Sequence, residues 1–298
     1  MSLLIRSLSA VFVSMLLLLL AFWPSGFEDI LLRVIRFPPW AAVGMVALLS
    51  ANLLVVSLRF SRVLSHFGIS LPWGIALRAS IAGAVAGLFV IPLFGQAMGR
   101  QSVLHGFGMQ PIVSASLAAY ERTLLALLSG VLGTLGGFYL FGQSAVASFF
   151  EQIRLVEILI AACGGGALSL WLGRSRFEAR LSRRVLSRIN FTRVLLIAGL
   201  TLVGQFLMLG CFVVAILAVS QGIPLTSLLA ASAMISLAAS LPITVGGWGV
   251  REIASVYVLG TLGVSAVDAV TMSVMVGLCS MLVTLGAAPF CLRKISHV

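Results

Sequence analysis

Charged residues are scarce in this chain of 298 residues. Asp, Glu, Lys and Arg make up 9% of the sequence, whereas 60% is hydrophobic. Soluble domains carry about 25% charged residues, which cover their surface. The scarcity of charge excludes a cytosolic globular enzyme, a secreted disulfide scaffold and a disordered tail. It predicts an all-α polytopic integral membrane protein that forms one membrane domain over residues 1–298.

Acidic residues and lysine are the rarest charged types. Nineteen basic residues face eight acidic ones, the net charge is +11, and Lys294 is the only lysine. The arginines lie between apolar stretches and not in a polar domain, so we expect membrane lipids with anionic head groups as partners and no nucleic acid. The sequence sets no oligomeric state.

Motifs that carry covalent chemistry are missing. The cysteines stand singly, without the spacing of a zinc or redox site, at Cys163, Cys211, Cys279 and Cys291. The sequence also lacks the phosphate-binding loop GxxxxGK[ST], HExxH, GxSxG and an acidic metal cluster. We therefore expect no metal, no cofactor and no enzymatic activity.

Apolar stretches with few charges predict about six full transmembrane helices, because a spanning helix needs about 20 apolar residues. They are 8–23, 38–58, 115–141, 157–172, 194–219 and 266–290. A signal peptide is the alternative for the first stretch. That stretch is long and no A-x-A cleavage site follows it, so we interpret it as an uncleaved anchor.

Arginine-rich segments predict the orientation. Residues 174–193 hold seven arginines against one acid, so we expect this loop in the cytoplasm. Arg59 with Arg62, and Arg293 with Lys294, should lie on the same side. These basic segments all fall on one side of the membrane only if two apolar segments, 71–112 and 225–262, each enter and leave the bilayer on the same side. The first of them should be broken near Pro92 and the second near Pro242. Both termini are then cytoplasmic, and we expect the cell inner membrane.

The 174–193 loop has an apolar stripe. Phe177, Leu181, Val185 and Ile189 recur every four residues, which predicts an amphipathic helix on the cytoplasmic leaflet. Two roles fit this pattern, a topology anchor or a surface that recruits lipid or a protein partner.

The two re-entrant segments begin alike, with Gly-Ile-Ser-Leu at 68–71 and Gly-Ile-Pro-Leu at 222–225. This similarity predicts an inverted repeat of three helices plus three, with residues 1–150 and 151–298 as the halves. The alternative is chance matching among apolar, glycine-rich segments. Stripes of small residues, such as Ala79, Gly83 and Gly87, predict close helix packing.

Residues 241–252 are the most informative segment. Pro242 should end a helix, and a new helix should start near Gly249 with Arg251 in its first turn. A helix N-terminus with free N–H groups beside an arginine binds phosphate, and irregular backbone at membrane depth lines cavities. We therefore expect a lipid head-group site here. The alternative is that Arg251 and Glu252 snorkel or pair with other residues. The glycines of this site are Gly246, Gly247 and Gly249.

Residues 92–100 form a weaker copy, in which Gly95, Gly99 and Arg100 follow the helix breaker Pro92. Three acids, Glu121, Glu252 and Asp268, are expected to pair with Arg100 and Arg251 or to carry protons. For Glu121 the candidate partners are Arg122 and an arginine of the other half.

Three segments, PLFGQAMGR at 92–100, AAYERTLL at 118–125 and PITVGGWGVRE at 242–252, resemble a flippase-like family over roughly residues 45–292. The family is named for the transmembrane domain of lysyl-phosphatidylglycerol synthases. The resemblance implies movement of a lipid with a polar or phosphate-bearing head group across the bilayer. Stand-alone members are associated with glycolipid, polyprenyl-phosphate or hopanoid pathways. Gln96 departs from the family pattern, which carries an acid there.

Because only six residues follow Leu292, we expect no aminoacyl-transferase domain and no lysyl transfer, which makes the lysyl lipid a doubtful substrate. The expected function is that of a flippase or scramblase-like lipid transporter. One alternative is a non-catalytic accessory or scaffold for a lipid-modifying or glycosyl-transferring enzyme, docked through residues 174–193. The other, a membrane-embedded transferase, is disfavoured because no acid cluster or nucleophile stands out.

Overall fold

The computed structural model describes residues 14–19, 26–152, 191–241 and 244–292. Within these ranges the chain is helical apart from turns and caps, which confirms the all-α expectation. The helices are α1 Phe27–Ile35, α2 Pro39–His66, α3 Trp73–Phe89, α4 Pro92–Leu104, α5 Pro111–Gln152, α6 Phe191–Val219, α7 Leu225–Ser240, α8 Val250–Gly260, α9 Ala266–Ala287 and α10 Pro289–Leu292. Residues 14–19 are also helical.

Four segments are long and apolar enough to cross a membrane. They match four of the six predicted spans and are Pro39–His66, Pro111–Gln143, Phe191–Val219 and Ala266–Cys291. Of the other two, 157–172 lies outside the described residues. The span 8–23 is described only over residues 14–19. Helix α2 ends eight residues later than predicted, because its apolar face continues through Val63 and Leu64 into the core. Arg59 therefore lies inside the helix and not in a loop.

Helices α3 and α4 form the first broken segment, and the break lies at Pro92 as predicted. Pro92 opens α4, where its missing N–H has no intrahelical partner to lose. The two helices run antiparallel at backbone contact. A Cβ on Gly95 would lie 2.6 Å from the carbonyl oxygen of Ala86 and from Gly87. Gly99 faces Gly83 in the same way.

The small residues of α3 therefore form a packing surface, as the sequence predicted. The weaker copy expected at residues 92–100 does begin a helix, at Pro92, but its glycines do not form an open helix N-terminus. Gly95 and Gly99 lie inside α4, where they let its backbone approach that of α3.

The second broken segment has a different turn. Helix α7 ends at Ser240 and α8 begins at Val250, which confirms a helix start near Gly249. Three glycines before α8 adopt positive φ, a conformation that other residues rarely reach: 62° at Gly246, 79° at Gly247 and 93° at Gly249. The predicted breaker Pro242 lies outside the described residues.

The order of elements repeats along the chain. A long helix, two short ones and a long one follow each other in α2–α5 and again in α6–α9. Gly68 and Gly222 have similar positive φ, 77° and 84°, and each lies just before the first short helix. The first long helices, α2 and α6, pack on each other, and α9 contacts both. Their shared core includes Met45, Phe212 and Met272.

Candidate functional site

A cavity of about 350 Å³, lined by both polar and apolar side chains, lies between the two groups of helices. Its walls come from α2 to α7 and from α9, so both halves of the chain contribute. Most of the outer helix faces are apolar, which makes this concentration of polar groups distinctive. The polar side chains that line the cavity are Asn52, Arg59, Ser80, Gln96, Glu121, Arg122, Ser129, Thr201, Gln205, Ser236, Ser240, Ser280 and Thr284.

One end of this cavity is charged. Arg59 Nε on α2 donates to Glu121 Oε1 at 3.0 Å, and Arg100 on α4 donates to the other oxygen of the same carboxylate. These side chains are 7%, 1% and 1% exposed for Arg59, Arg100 and Glu121. The Arg100 guanidinium also lies 3.8 Å above the ring of Phe60, a cation–π contact. Glu121 thus holds two buried arginines of its own half.

Arg122 adds a third positive charge but does not pair with its neighbour Glu121. Its Nε donates to Gln96 Oε1 at 3.0 Å, and no ion pair within the described ranges includes it. We call Arg59, Arg100, Glu121 and Arg122 the first cluster. Three arginines and one carboxylate give it a net charge of +2 (+3 − 1).

The positive surplus is only partly compensated. Arg100 is buried, and its Nε and Nη2 have no hydrogen-bond partner among the residues that the structure describes. A buried donor without a partner costs about 1–3 kcal/mol, and more when it is charged. Arg59 and Arg122 line the cavity, whereas Arg100 lies behind them. The cavity is therefore electropositive at this end and suited to an anion.

A second buried cluster lies at the start of α8 and consists of Arg251, Glu252, Ser273 and the backbone N–H of Gly249. Glu252 Oε2 accepts from Gly249 N at 2.6 Å, and Glu252 Oε1 accepts from Arg251 Nη2 at 2.7 Å. Ser273 Oγ on α9 lies 2.9 Å from Arg251 Nε and 2.9 Å from Glu252 Oε1. The Arg251 guanidinium lies 4.9 Å from the ring of Trp248.

This second cluster is closed. The carboxylate of Glu252 caps its own helix, so it occupies the place that a phosphate would take at this N-terminus. Arg251 is 6% exposed, Glu252 is 0% exposed, and neither lines the cavity. The expected arrangement, an arginine beside free helix N–H groups, is therefore not what the structure contains. Gly277 on α9 makes the close fit possible, because a Cβ there would lie 2.5 Å from Arg251 Nη2.

Asp268 belongs to neither cluster. It pairs with Arg33, which joins α1 to the start of α9, and its backbone N–H donates to Ser265 Oγ at 3.1 Å. The expected pairing with Arg100 or Arg251 was wrong. Glu121 pairs with Arg100, as expected, and also with Arg59, whereas the other candidate partners, Arg122 and an arginine of the other half, do not bind it.

Sequence reasoning assigned Glu121 to a site but missed most of the other polar residues that line the cavity. It assigned Arg59 to a loop and gave no role to Asn52 or Ser129. One signal was available, since Asn52 with Arg59, and Arg122 with Ser129, are seven residues apart within apolar helices. That spacing is two helical turns and puts each pair on one face. No group of three metal-binding side chains lies within the described ranges.

Comparison with known proteins gives one result that bears on the whole chain. No curated protein and no solved structure matches it. Comparison with protein families, in contrast, matches residues 7–288 to the lysylphosphatidylglycerol synthase TM region. Because this match covers most of a chain that folds as apolar helices around an electropositive cavity, the chain belongs to the family of lysylphosphatidylglycerol synthase transmembrane regions.

Proposed function

We propose that the chain moves a lipid with a phosphate-bearing head group between the two leaflets and catalyses no covalent reaction. The observation that carries this proposal is the cavity with Arg59 and Arg122 in its wall, in which Glu121, already paired, is the only carboxylate among the described lining residues. Family membership supports a role in membrane lipid metabolism. We assign the head group to the first cluster and a structural role to Arg251, because Glu252 and Ser273 already bind its guanidinium.

Charge balance is the reason for this assignment. Charged groups at membrane depth are costly and persist where they are paired or serve a function. The first cluster keeps a surplus of +2 after its internal ion pairs, so an entering phosphate lowers its electrostatic energy. The planar guanidinium of Arg122 offers a fork that fits phosphate oxygens, and Gln96 holds it through Nε only.

The repeated order of helices supports a path through the membrane. We propose that α2–α5 and α6–α9 are an inverted repeat, with the α3–α4 hairpin and the α7–α8 segment entering from opposite sides. The cavity between them would then open to each leaflet in turn. Without a nucleotide-binding motif, this movement equilibrates lipid or draws on an existing gradient.

The location follows from the charge pattern. We propose the cell inner membrane, with both termini and residues 174–193 in the cytoplasm. The partners would be anionic lipids and, through the basic loop, a lipid-synthesis enzyme or a glycosyltransferase. Most of residues 174–193 lie outside the described residues.

A test uses the purified protein in proteoliposomes that contain a lipid with an NBD-labelled acyl chain. Dithionite bleaches the label in the outer leaflet, so the loss of fluorescence reports movement between leaflets. The wild type should move phosphatidylglycerol and leave phosphatidylcholine behind. Arg122→Gln should slow the transport of phosphatidylglycerol about tenfold or more, since hydrogen bonds to charged groups contribute about 1.5–3 kcal/mol. The matched control is Arg62→Gln, an exposed arginine on α2 one turn from Arg59.

Two results would contradict the proposal. One is a wild type that moves no anionic lipid, which would favour the accessory or scaffold role. The other is an Arg122→Gln variant that transports phosphatidylglycerol at the wild-type rate, which would show that the first cluster does not bind the head group.

A further inference from the structure

The cavity has a second polar region, away from the charged end. Gln205 Nε2 on α6 donates to Ser129 Oγ on α5, and Asn52 on α2 lies beside Gly204, where an added Cβ would be 3.1 Å from its Oδ1. These contacts place Asn52, Ser129 and Gln205 at one level of the bundle, which we call the neutral layer. All three line the cavity, and none of them carries a charge.

The neutral layer lies too far from the charged end to share one ligand group with it. Asn52 precedes Arg59 by seven residues on α2, and Ser129 follows Arg122 by seven residues on α5. Seven residues at 1.5 Å each separate the two levels by about 10 Å along the helices. A single phosphate at the level of Arg59 and Arg122 does not extend over that distance. A ligand that uses both levels must carry further polar groups beyond its phosphate.

Several polar groups of this cavity have no hydrogen-bond partner among the residues that the structure describes. Asn52, Ser236 and Thr284 line it without a hydrogen bond to any described residue. Ser80, 4% exposed, also lines it, and its Oγ has no partner within the described ranges. The Ser80 hydroxyl is buried, and buried polar groups are normally paired. The polar atoms of Asn52, Ser236 and Thr284, in contrast, are accessible from the cavity. Amides and hydroxyls that face one cavity without a partner on the described residues suit a ligand with many hydroxyl groups.

The same wall disfavours a cationic head group. Glu121 is the only acid among the described residues that line the cavity, and Arg59 and Arg100 already bind it. An ammonium group would find no free carboxylate and would face a net positive cluster.

We infer that the lipid carries an uncharged polyol, a sugar or an inositol, beyond its phosphate, and that Asn52 and Gln205 help to recognise its hydroxyl groups. This inference rests on the proposed function. The same phosphate–polyol chemistry occurs on glycerolipid and on polyprenyl anchors, and the experiment includes both. A lipid that bears a lysyl group is disfavoured, because its ammonium groups would lie against the arginines.

The test compares lipids of equal phosphate charge in proteoliposomes that contain the whole chain. NBD-labelled phosphatidylinositol and phosphatidylmethanol differ only in the polyol. A second pair is a labelled polyprenyl phosphohexose and its methyl phosphodiester. In at least one pair the polyol lipid should move about tenfold faster, and the pair that responds identifies the anchor. Lysyl-phosphatidylglycerol should move more slowly than that polyol lipid.

A variant links the preference to the neutral layer. Asn52→Leu keeps the side-chain size and removes the amide, so it should lower the ratio of polyol lipid to methyl lipid several-fold. Arg62→Gln should leave the ratio as in the wild type. The wild-type comparison decides the question even if Asn52→Leu does not fold.

The outcomes separate the two proposals. If both pairs move at equal rates, or if lysyl-phosphatidylglycerol is as fast as the polyol lipid, the polyol inference is wrong and the proposed function stands. If Asn52→Leu folds and keeps the wild-type ratio, the neutral layer does not read the polyol. If no anionic lipid moves, the proposed function fails and the inference fails with it.

Discussion

The first cluster and the cluster at α8 use the same residue types with different charge balance. Around Glu121, two arginines share one carboxylate, and a third, Arg122, lies beside them in the cavity wall without an ion pair among the described residues. Around Glu252, one arginine pairs with one carboxylate, and a serine and a helix N-terminus supply the other contacts. A one-to-one pair neutralises itself, whereas a surplus of positive charge needs an anion from outside. A buried arginine in a membrane protein therefore indicates a ligand site only when its neighbours leave it undercompensated.

The largest effect should come from breaking the closed cluster. Glu252→Gln leaves Arg251 buried without a counter-charge, so it should lower the free energy of unfolding by about 3–5 kcal/mol. Thermal unfolding in detergent, followed by tryptophan fluorescence, measures this loss. Glu28→Gln on the exposed face of α1 is the control and should unfold near the wild-type temperature. A wild-type midpoint for Glu252→Gln would show that the second cluster does not hold the fold.

Lysine substitutions should separate the two clusters by function. Arg122→Lys keeps the charge but loses the planar fork and the Nε contact to Gln96, so anionic lipid transport should fall several-fold with little change in stability. Arg251→Lys should do the reverse. It loses the Nε contact to Ser273 and should destabilise the protein by about 1–3 kcal/mol without slowing transport by the folded fraction.

Transport rates in proteoliposomes and unfolding midpoints in detergent, measured on both lysine variants, check this prediction. If Arg251→Lys slows transport while its unfolding midpoint stays unchanged, the site assignment must be reversed in favour of the cluster at α8.

The two broken segments use glycine differently, which a single alanine can test. Gly95→Ala would put a Cβ 2.6 Å from the backbone of α3, so it should destabilise the α3–α4 hairpin by about 1–3 kcal/mol. Gly74→Ala, also in this hairpin, meets no heavy atom within 4 Å and should be neutral or slightly stabilising. The unfolding midpoints of both variants provide the measurement. Equal midpoints would mean that the two helices separate without cost.

The smallest effect should come from the ion pair outside both clusters. Arg33 and Asp268 have side chains 51% and 17% exposed, so solvent screens their attraction. Asp268→Asn should cost about 0.2–1 kcal/mol and leave transport unchanged. A double-mutant cycle with Arg33→Gln isolates the pair. A coupling energy as large as that of the buried clusters would show that α1 belongs to the rigid core.

Much of the architecture was readable because lipid imposes simple rules on sequence. Apolar length predicted the long helices, Pro92 predicted the first break, and the glycines before Arg251 predicted the start of α8. Helix ends were less predictable. Arg59 looked like a loop charge because its partner, Glu121, lies 62 residues away in the sequence. Several interpretations stay predictions because they fall wholly or partly outside the described residues. They concern the spans 8–23 and 157–172, the breaker Pro242 and the arginines of residues 174–193.

By itself, the sequence determined that this chain is a helical membrane protein, because its apolar stretches have the length of membrane-spanning helices, which satisfy their own backbone polar groups. It also determined which arginines lie among apolar residues. Only the tertiary structure decided which of them a carboxylate neutralises. That outcome depends on contacts of a few ångströms between distant helices, and residue type alone does not encode them. Glu252 closes on the arginine beside it, while Glu121 is shared by Arg59 and Arg100 and leaves Arg122 to the cavity.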